Sequence, residues 1–194
     1  CDNFSTDGTV EILKKLKKNN YQNFKFIFNN KNIGKGGSIK KAIDISMNDY
    51  IVIFDLDEYS IEDLIIAHSI IQNNREIDFL CGTRLKENNR FIYKKNLYGV
   101  ILLTKLINLL YKTNLSDSAC ATKIFKKKIY NQLEIKTNGF DFEFEVLCKF
   151  AKLKYLIKEY KVKYFPRSFE EGKKLRAITD GTKIFKTIIK SLIN

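Results

Sequence analysis

A single histidine, His68, a single proline, Pro166, and no tryptophan are found in the chain. One imidazole, set in a stretch with helical apolar spacing, leaves almost no material for a histidine metal site or a Ser-His-Asp triad. Cys1, Cys81, Cys120 and Cys148 are far apart and form no C-x-x-C pair. That spacing argues against a zinc site or a dithiol redox motif and fits reduced thiols in a cytosolic protein. No apolar run reaches the ~18 residues that a membrane span needs; the longest, Tyr98 to Tyr111, is interrupted by Lys105 and Asn108. Internal repeats and low-complexity linkers are also lacking.

What remains is the composition of a folded domain. With 194 residues, 44% hydrophobic and 13% aromatic, the chain can bury a full core, which excludes a disordered polypeptide. The formal net charge of +13 comes mostly from lysine. Such a surface fits a polyanionic partner: nucleic acid, an anionic membrane face or a phosphorylated substrate. A lysine-rich composition with ordinary solvated faces gives the same number.

The most informative stretch is Met47 to Ser60, M-N-D-Y-I-V-I-F-D-L-D-E-Y-S. Its apolar run, Tyr50 to Phe54, reads as a buried central strand that delivers Asp55 and Asp57 to a sheet edge. Ligands of open α/β sheets bind at the carboxyl ends of strands. Two carboxylates one residue apart at such an end can reach a hard divalent cation that also holds phosphates.

The flanking pattern is consistent with this. After the polar turn Cys1 to Thr9, Val10, Leu13 and Leu16 have helical spacing, with Asp7 and Thr9 as N-cap candidates. Phe24 to Phe28 alternates as a strand. Asn29 to Gly37 is a glycine-rich loop feeding a helix from Ser38 to Met47. Loops of that kind bind phosphate, but this one lacks both G-x-G-x-x-G and the Walker spacing and equally suits a tight turn. A helix over Ile61 to Asn74 and a buried strand over Ile77 to Gly82, closed by Arg84, complete the alternation of a parallel α/β sheet. Phe91 to Tyr111 predicts a helix, either buried or lying on a membrane surface. A strand over Ala121 to Phe125, an acidic helix over Phe140 to Lys152 and an edge-like strand over Tyr155 to Phe165 follow. The expected domain is 1–176. From 177 to 194 the tail reads as a basic amphipathic helix that packs on the domain or lies on an anionic leaflet.

Taken in order, these stretches resemble the family 2 glycosyltransferases, and among them the polyprenyl-phosphate (dolichyl-phosphate) glucosyl- and mannosyltransferases. Asp2 to Thr9 is similar to the family's D-D-G-S-x-D-G-T, Asn32 to Ser38 to its N-x-G-K-G-x-A, Asp55-Leu56-Asp57 to its D-x-D, and Gly82-Thr83-Arg84 to its G-S-R. Gly139 to Glu143, and Tyr164 to Leu175 with R-x-x-x-E-G-K-K-L inside it, are similar to later motifs of the subgroup. The resemblance implies a nucleotide-sugar-binding GT-A fold, mostly parallel, whose first strand (P-x-Y-N-E in the family) is missing ahead of Cys1. It implies donor contacts from Asp2, Asp7, Gly34, Lys35 and Asp55. It also implies Mg²⁺ or Mn²⁺ on Asp55 and Asp57, with Glu58, one residue nearer than the family's acid, as the candidate third ligand. Asn3 and Phe4 stand where the family has Asp and Gly.

Sugar transfer needs the departing diphosphate neutralised, which a divalent ion on Asp57 and Asp55 provides. A hydroxyl acceptor also needs a general base, and Asp117, in isolation a turn or cap residue, is the acid available. A polyprenyl phosphate is already an anion and needs cations instead; Arg84, Lys95, Arg167, Lys173 and Lys174 are the candidates. Asp57, Asp117 and Arg84 are thus the expected catalytic groups. The surplus of cations favours transfer of glucose or mannose from UDP-glucose or GDP-mannose to a polyprenyl phosphate, by a peripheral protein at the cytoplasmic membrane face. The alternatives are a hydroxyl acceptor, an inactive relative, and a basic nucleic-acid-binding module. Against the last, no RNP1-like aromatic signature occurs, so nucleic acid is not an expected partner.

Overall fold

The computed structural model describes residues 1–19, 21–55, 57–168, 170 and 176–193. Four short segments form one sheet: β1 (Tyr50–Ile53), β2 (Phe79–Thr83), β3 (Lys123–Lys126) and β4 (Ile157–Lys161), in the order β1-β3-β2-β4. β3 runs antiparallel to both β1 and β2, whereas β4 is parallel to β2. Three strands therefore share one direction and β3 opposes them, so the α/β sheet is mixed. From β1 to β2 the strand–helix–strand alternation is as the sequence predicts. The late insertion of β3 between β1 and β2 is not visible in any local period, because hydrophobic spacing says nothing about which neighbour a strand takes.

Two further expectations are corrected. β1 is not central: among the described residues it closes one end of the sheet, with Ile51 and Ile53 buried but Val52 49% exposed. Phe24 to Phe28 forms no strand. It makes one parallel bridge, Asp2 to Phe28, through Asp2 N–H to the Ile27 carbonyl (2.8 Å) and Asn29 N–H to the Asp2 carbonyl (3.1 Å). One partner residue cannot make a ladder, and the alternating rings stack on each other instead, Phe24 on Phe26.

Helices cover both faces. On one, α3 (Ile61–Asn73) packs Ala67 and Ile71 against Leu80, Ile124, Tyr160 and Val162. Its start is fixed by Ser60, whose hydroxyl accepts from Glu62 N–H (3.3 Å). On the other lie α2 (Lys35–Ile45), α4 (Lys94–Tyr111), α6 (Phe142–Lys152) and α7 (Ala177–Ile193). α6 is buried nearly all round, as its run of Phe142, Phe144, Val146, Leu147 and Phe150 requires. Phe150 meets Phe79 edge-on at 5.2 Å, and truncating such a ring to alanine costs about 3–5 kcal/mol. The remaining helices are α1 (Thr9–Lys18), near the amino end, and the single turn α5 (Lys127–Tyr130).

α4 and α7 divide the two readings open for each. α7 packs on the domain: Ile184 and Ile188 enter the core, Tyr111 Oη donates to the Ile188 carbonyl, and Thr187 donates to Asp141 Oδ2 at 2.9 Å. α4, apolar enough to be buried, buries only Thr104, Ile107 and Tyr111 and turns Tyr98, Leu102, Lys105 and Leu109 to solvent. Among the described residues no helix is long and apolar enough to cross a membrane.

The site follows from strand direction. β1 and β2 both oppose β3, so their carboxyl ends lie on the same edge. Lys123 pairs with Ile53 on one side and Cys81 on the other, next to both ends.

Candidate active site

A cleft of about 2430 Å³ opens at this edge and is lined by Lys35, Asp55, Asp57, Glu58, Arg84, Lys95, Glu143 and Arg167, among others. Beyond β1 the chain turns so that Glu58 N–H donates to the Asp55 carbonyl at 3.1 Å. Tyr59 then bridges to Tyr164, and Phe165 N–H donates to the Glu58 carbonyl at 2.8 Å. That pairing brings the segment after β4 across the acids. Arg167 Nη1 stands 2.5 Å from Asp57 Oδ2, and its Nε 3.8 Å from Glu58 Oε1. Lys35 Nζ stands 2.9 Å from Asp55 Oδ2. Each acid of the D-x-D thus holds one cation.

Asp55 and Asp57 are partly exposed, hard oxygen donors facing the cleft, which suits Mg²⁺ or Mn²⁺ completed by substrate phosphate and water. Among the described residues no three acidic, histidine or cysteine side chains come together as a metal cluster. Glu58, the candidate third ligand, follows Asp57 and lines the same cleft. Its side chain is largely buried beside Arg167.

Behind Lys35 lies a pair that the sequence reading missed. Glu143 Oε1 accepts from Lys35 Nζ at 2.8 Å, and its Oε2 is 3.4 Å from Lys123 Nζ. Lys123 is 1% exposed and donates also to the Cys120 carbonyl. Burial pushes the Glu143 carboxyl up, but the charges of Lys35 and Lys123 outweigh it and hold the group below the ordinary range. Burial likewise disfavours the Lys35 ammonium, and Glu143 and then Asp55 more than restore it. The signal was present: a helix apolar all round is buried, and so are its acids.

The glycine loop is shaped by close packing. Gly34 has φ +83°, and a Cβ there would lie 2.2 Å from the Asn138 carbonyl oxygen; at Gly36 it would lie 2.4 Å from Phe142 Cβ. Gly37 N–H donates to that same Asn138 carbonyl at 3.1 Å. Asn3 ties the amino-terminal turn to this loop: Oδ1 accepts from Ile33 N–H and Nδ2 donates to Asn32 Oδ1, both at 2.9 Å. An aspartate could not donate that second bond, which gives the departure at Asn3 a local reason. Asp2 is turned inward, its Oδ2 accepting from Phe4 and Ser5 N–H, and these bonds, those from Ser5 first, hold its carboxyl low. Asp7 reaches the cleft while its Oδ1 accepts from Thr9 N–H and Oγ1 at the start of α1.

Arg84 and Asp117 are brought together, but in the interior. Nε and Nη2 donate to Oδ2 and Oδ1 at 2.7 and 2.9 Å, and the guanidinium stacks over Tyr164 at 5.1 Å. Burial would raise the Asp117 carboxyl, but Arg84 outweighs it and keeps it below its ordinary range. Asp117 has no solvent-exposed surface, so the oxygens expected to act as a base are already committed. Lys95 is exposed on the first turn of α4 and lines the cleft. Lys173 and Lys174 lie outside the described residues.

An α/β sheet with acids at a strand end and a lysine-bearing glycine loop beside them fits the GT-A fold of glycosyltransferases. The chain belongs to glycosyl transferase family 2, whose model matches residues 1–134. It is 27% identical over 168 residues to an uncharacterized glycosyltransferase of Methanocaldococcus jannaschii, covering 84% of this chain and 57% of that protein. It is 26% identical to a dolichyl-phosphate beta-glucosyltransferase of Dictyostelium discoideum, covering 97% of this chain and 60% of that one. The chain thus spans little more than half the length of these relatives. In fold it is similar to glucosyl-3-phosphoglycerate synthase of Mycobacterium tuberculosis, solved with Mn²⁺ and UDP-glucose. The TM-score is 0.66 at 13% identity, covering 98% of this chain and 66% of that one.

Proposed function

We propose that this domain transfers a hexose, glucose or mannose, from a nucleotide diphosphate sugar to a polyprenyl phosphate with inversion at the sugar carbon. The observation that carries the donor half is the pair of cleft-facing acids, Asp55 and Asp57, each matched to a cation. These acids would hold Mg²⁺ or Mn²⁺, which supplies charge neutralisation for the departing diphosphate. Lys35 and the Gly34 turn lie beside them for the donor's phosphates, and Asp7 and Asn3 line the same cleft for the nucleoside.

For the acceptor, the commitment of Asp117 to Arg84 leaves the expected base without an accessible oxygen. An acceptor that is already anionic requires none. Cations are in place to bind it: Lys95 lies on the first turn of α4, a helix end that has no acidic residue and favours anions. Arg167 has a buried Nε–H that stands 3.8 Å from Glu58 Oε1 and has no hydrogen-bond acceptor among the described residues. The likeness to the Dictyostelium dolichyl-phosphate enzyme supports the same acceptor class. The outward Tyr98, Leu102 and Leu109 of α4, flanked by Lys95 and Lys105, fit contact with the anionic face of a membrane from the cytoplasmic side.

The test is nucleotide release by the full-length protein from UDP-glucose and GDP-mannose with Mn²⁺ and a short polyprenyl phosphate, beside Asp57→Ala. Lipid-dependent release that disappears in the variant is expected. Lipid-independent release would move the acceptor to a hydroxyl, and no release with either donor would overturn the proposal.

A further inference from the structure

Asp55, Lys35, Glu143 and Lys123 alternate in sign from the cleft to the interior, with successive contacts of 2.9, 2.8 and 3.4 Å. Side-chain exposure falls along the line from 29% at Asp55 to 1% at Lys123. Lys35 thus has two carboxylate partners, one facing the cleft and one buried behind it. We propose that Glu143 is a positioning residue for the donor: it holds the Lys35 ammonium at the cleft when a divalent ion occupies Asp55, so that Lys35 passes from Asp55 to the donor diphosphate.

Three features support this, and the inference rests on the donor-site reading above. A divalent ion at Asp55 competes for the oxygen that Lys35 now uses and repels the ammonium. A lysine with no second anchor would then regain its rotamer freedom. Glu143 is that anchor, and it cannot follow Lys35 outward because its other oxygen faces Lys123, which is immobilised in β3 by the Cys120 carbonyl. The backbone is fixed as well: Gly36 lies so close to Phe142 that no Cβ fits between them. A purely structural ion pair would account for Glu143 with Lys123. It would not account for Lys35 reaching to both Glu143 and the metal-facing acid.

The experiment is a double-mutant cycle on UDP and GDP binding, measured by titration calorimetry with and without Mn²⁺, for wild type, Glu143→Gln, Lys35→Met and the double variant. With Mn²⁺, Glu143→Gln should weaken binding about tenfold, the size of one charged hydrogen bond. It should add nothing in the Lys35→Met background and change metal-free binding less than twofold. Equal losses with and without Mn²⁺, or an undiminished loss in the Lys35→Met background, would overturn the proposal while leaving the donor site standing. A wild type that binds neither nucleotide would overturn the donor reading and this inference together. If Glu143→Gln does not fold, Glu143→Asp, which keeps the charge near Lys123 but withdraws it from Lys35, is expected to show the same metal-dependent loss.

Discussion

Arg84 and Asp117 share three hydrogen bonds: the bidentate side-chain pair and a third from Arg84 N–H to Asp117 Oδ2 at 3.1 Å. The pair joins the end of β2 to the segment that leads into β3. Glu159 on β4 adds to the clamp, accepting from Ser116 and Asp117 N–H at 2.8 and 3.1 Å. The edge that carries the site is therefore fixed from three strands.

Asp117→Asn should leave a buried guanidinium short of its charge partner and cost about 3–5 kcal/mol. Urea unfolding measures the loss, and turnover should fall only as the folded fraction falls. A variant with wild-type stability and abolished turnover would restore Asp117 as a base.

Arg167→Ala removes the cation that competes with a metal for Asp57. Mn²⁺ affinity without nucleotide should rise about threefold, a modest gain because Asp57 is half exposed and the pair is screened by water. The same variant should raise the KM for polyprenyl phosphate. Calorimetry and initial rates read the two effects separately, and a drop in Mn²⁺ affinity would contradict the competition.

Acid should unfold the protein through its interior carboxylates. Asp117, Glu143 and Glu145 all titrate below their ordinary values of 3.8, 4.5 and 4.5 in the folded chain. The unfolded state therefore takes up protons first. Their contribution is complete above those ordinary values and is lost as pH falls through the lowered ones. Asp63, which burial raises, works in the opposite sense. The urea midpoint should stay level from neutral to about pH 5 and fall steeply below about pH 4. Asp117→Asn should make that fall shallower.

Leu102→Glu with Leu109→Glu places charge on the outward face of α4 without touching the core. Binding to vesicles containing anionic lipid should fall at least about tenfold with the melting temperature within ~2 °C of wild type. Unchanged sedimentation with the vesicles would remove α4 as the contact face.

Local pattern made much of this molecule legible. The run from Tyr50 to Phe54 followed by Asp55 and Asp57, the arginine closing β2, and the amphipathic span of α3 are where spacing places them. What spacing cannot carry is pairing. β3 enters between β1 and β2 against their direction, and Phe24 to Phe28 alternates without a ladder to join. The charged residues were harder still. In sequence, Glu143 is one acid of an acidic helix and Lys123 one residue of a short strand. They become a site only because α6 is buried and the register sets Lys123 opposite Ile53. Asp117 looked like a turn acid, and its partner Arg84 lies 33 positions away in sequence.

The outer side of β1 has a consequence for handling the protein. Its backbone amides and carbonyls on that side meet no strand among the described residues, and Val52 adds an apolar side chain to the strand. Such an edge templates the addition of further strands. Concentrated solutions of these residues alone should therefore self-associate into oligomers and precipitate, more so at high ionic strength where the repulsion from +13 charges is screened. A lysine at Val52 or a polypeptide segment seated along β1 should restore solubility.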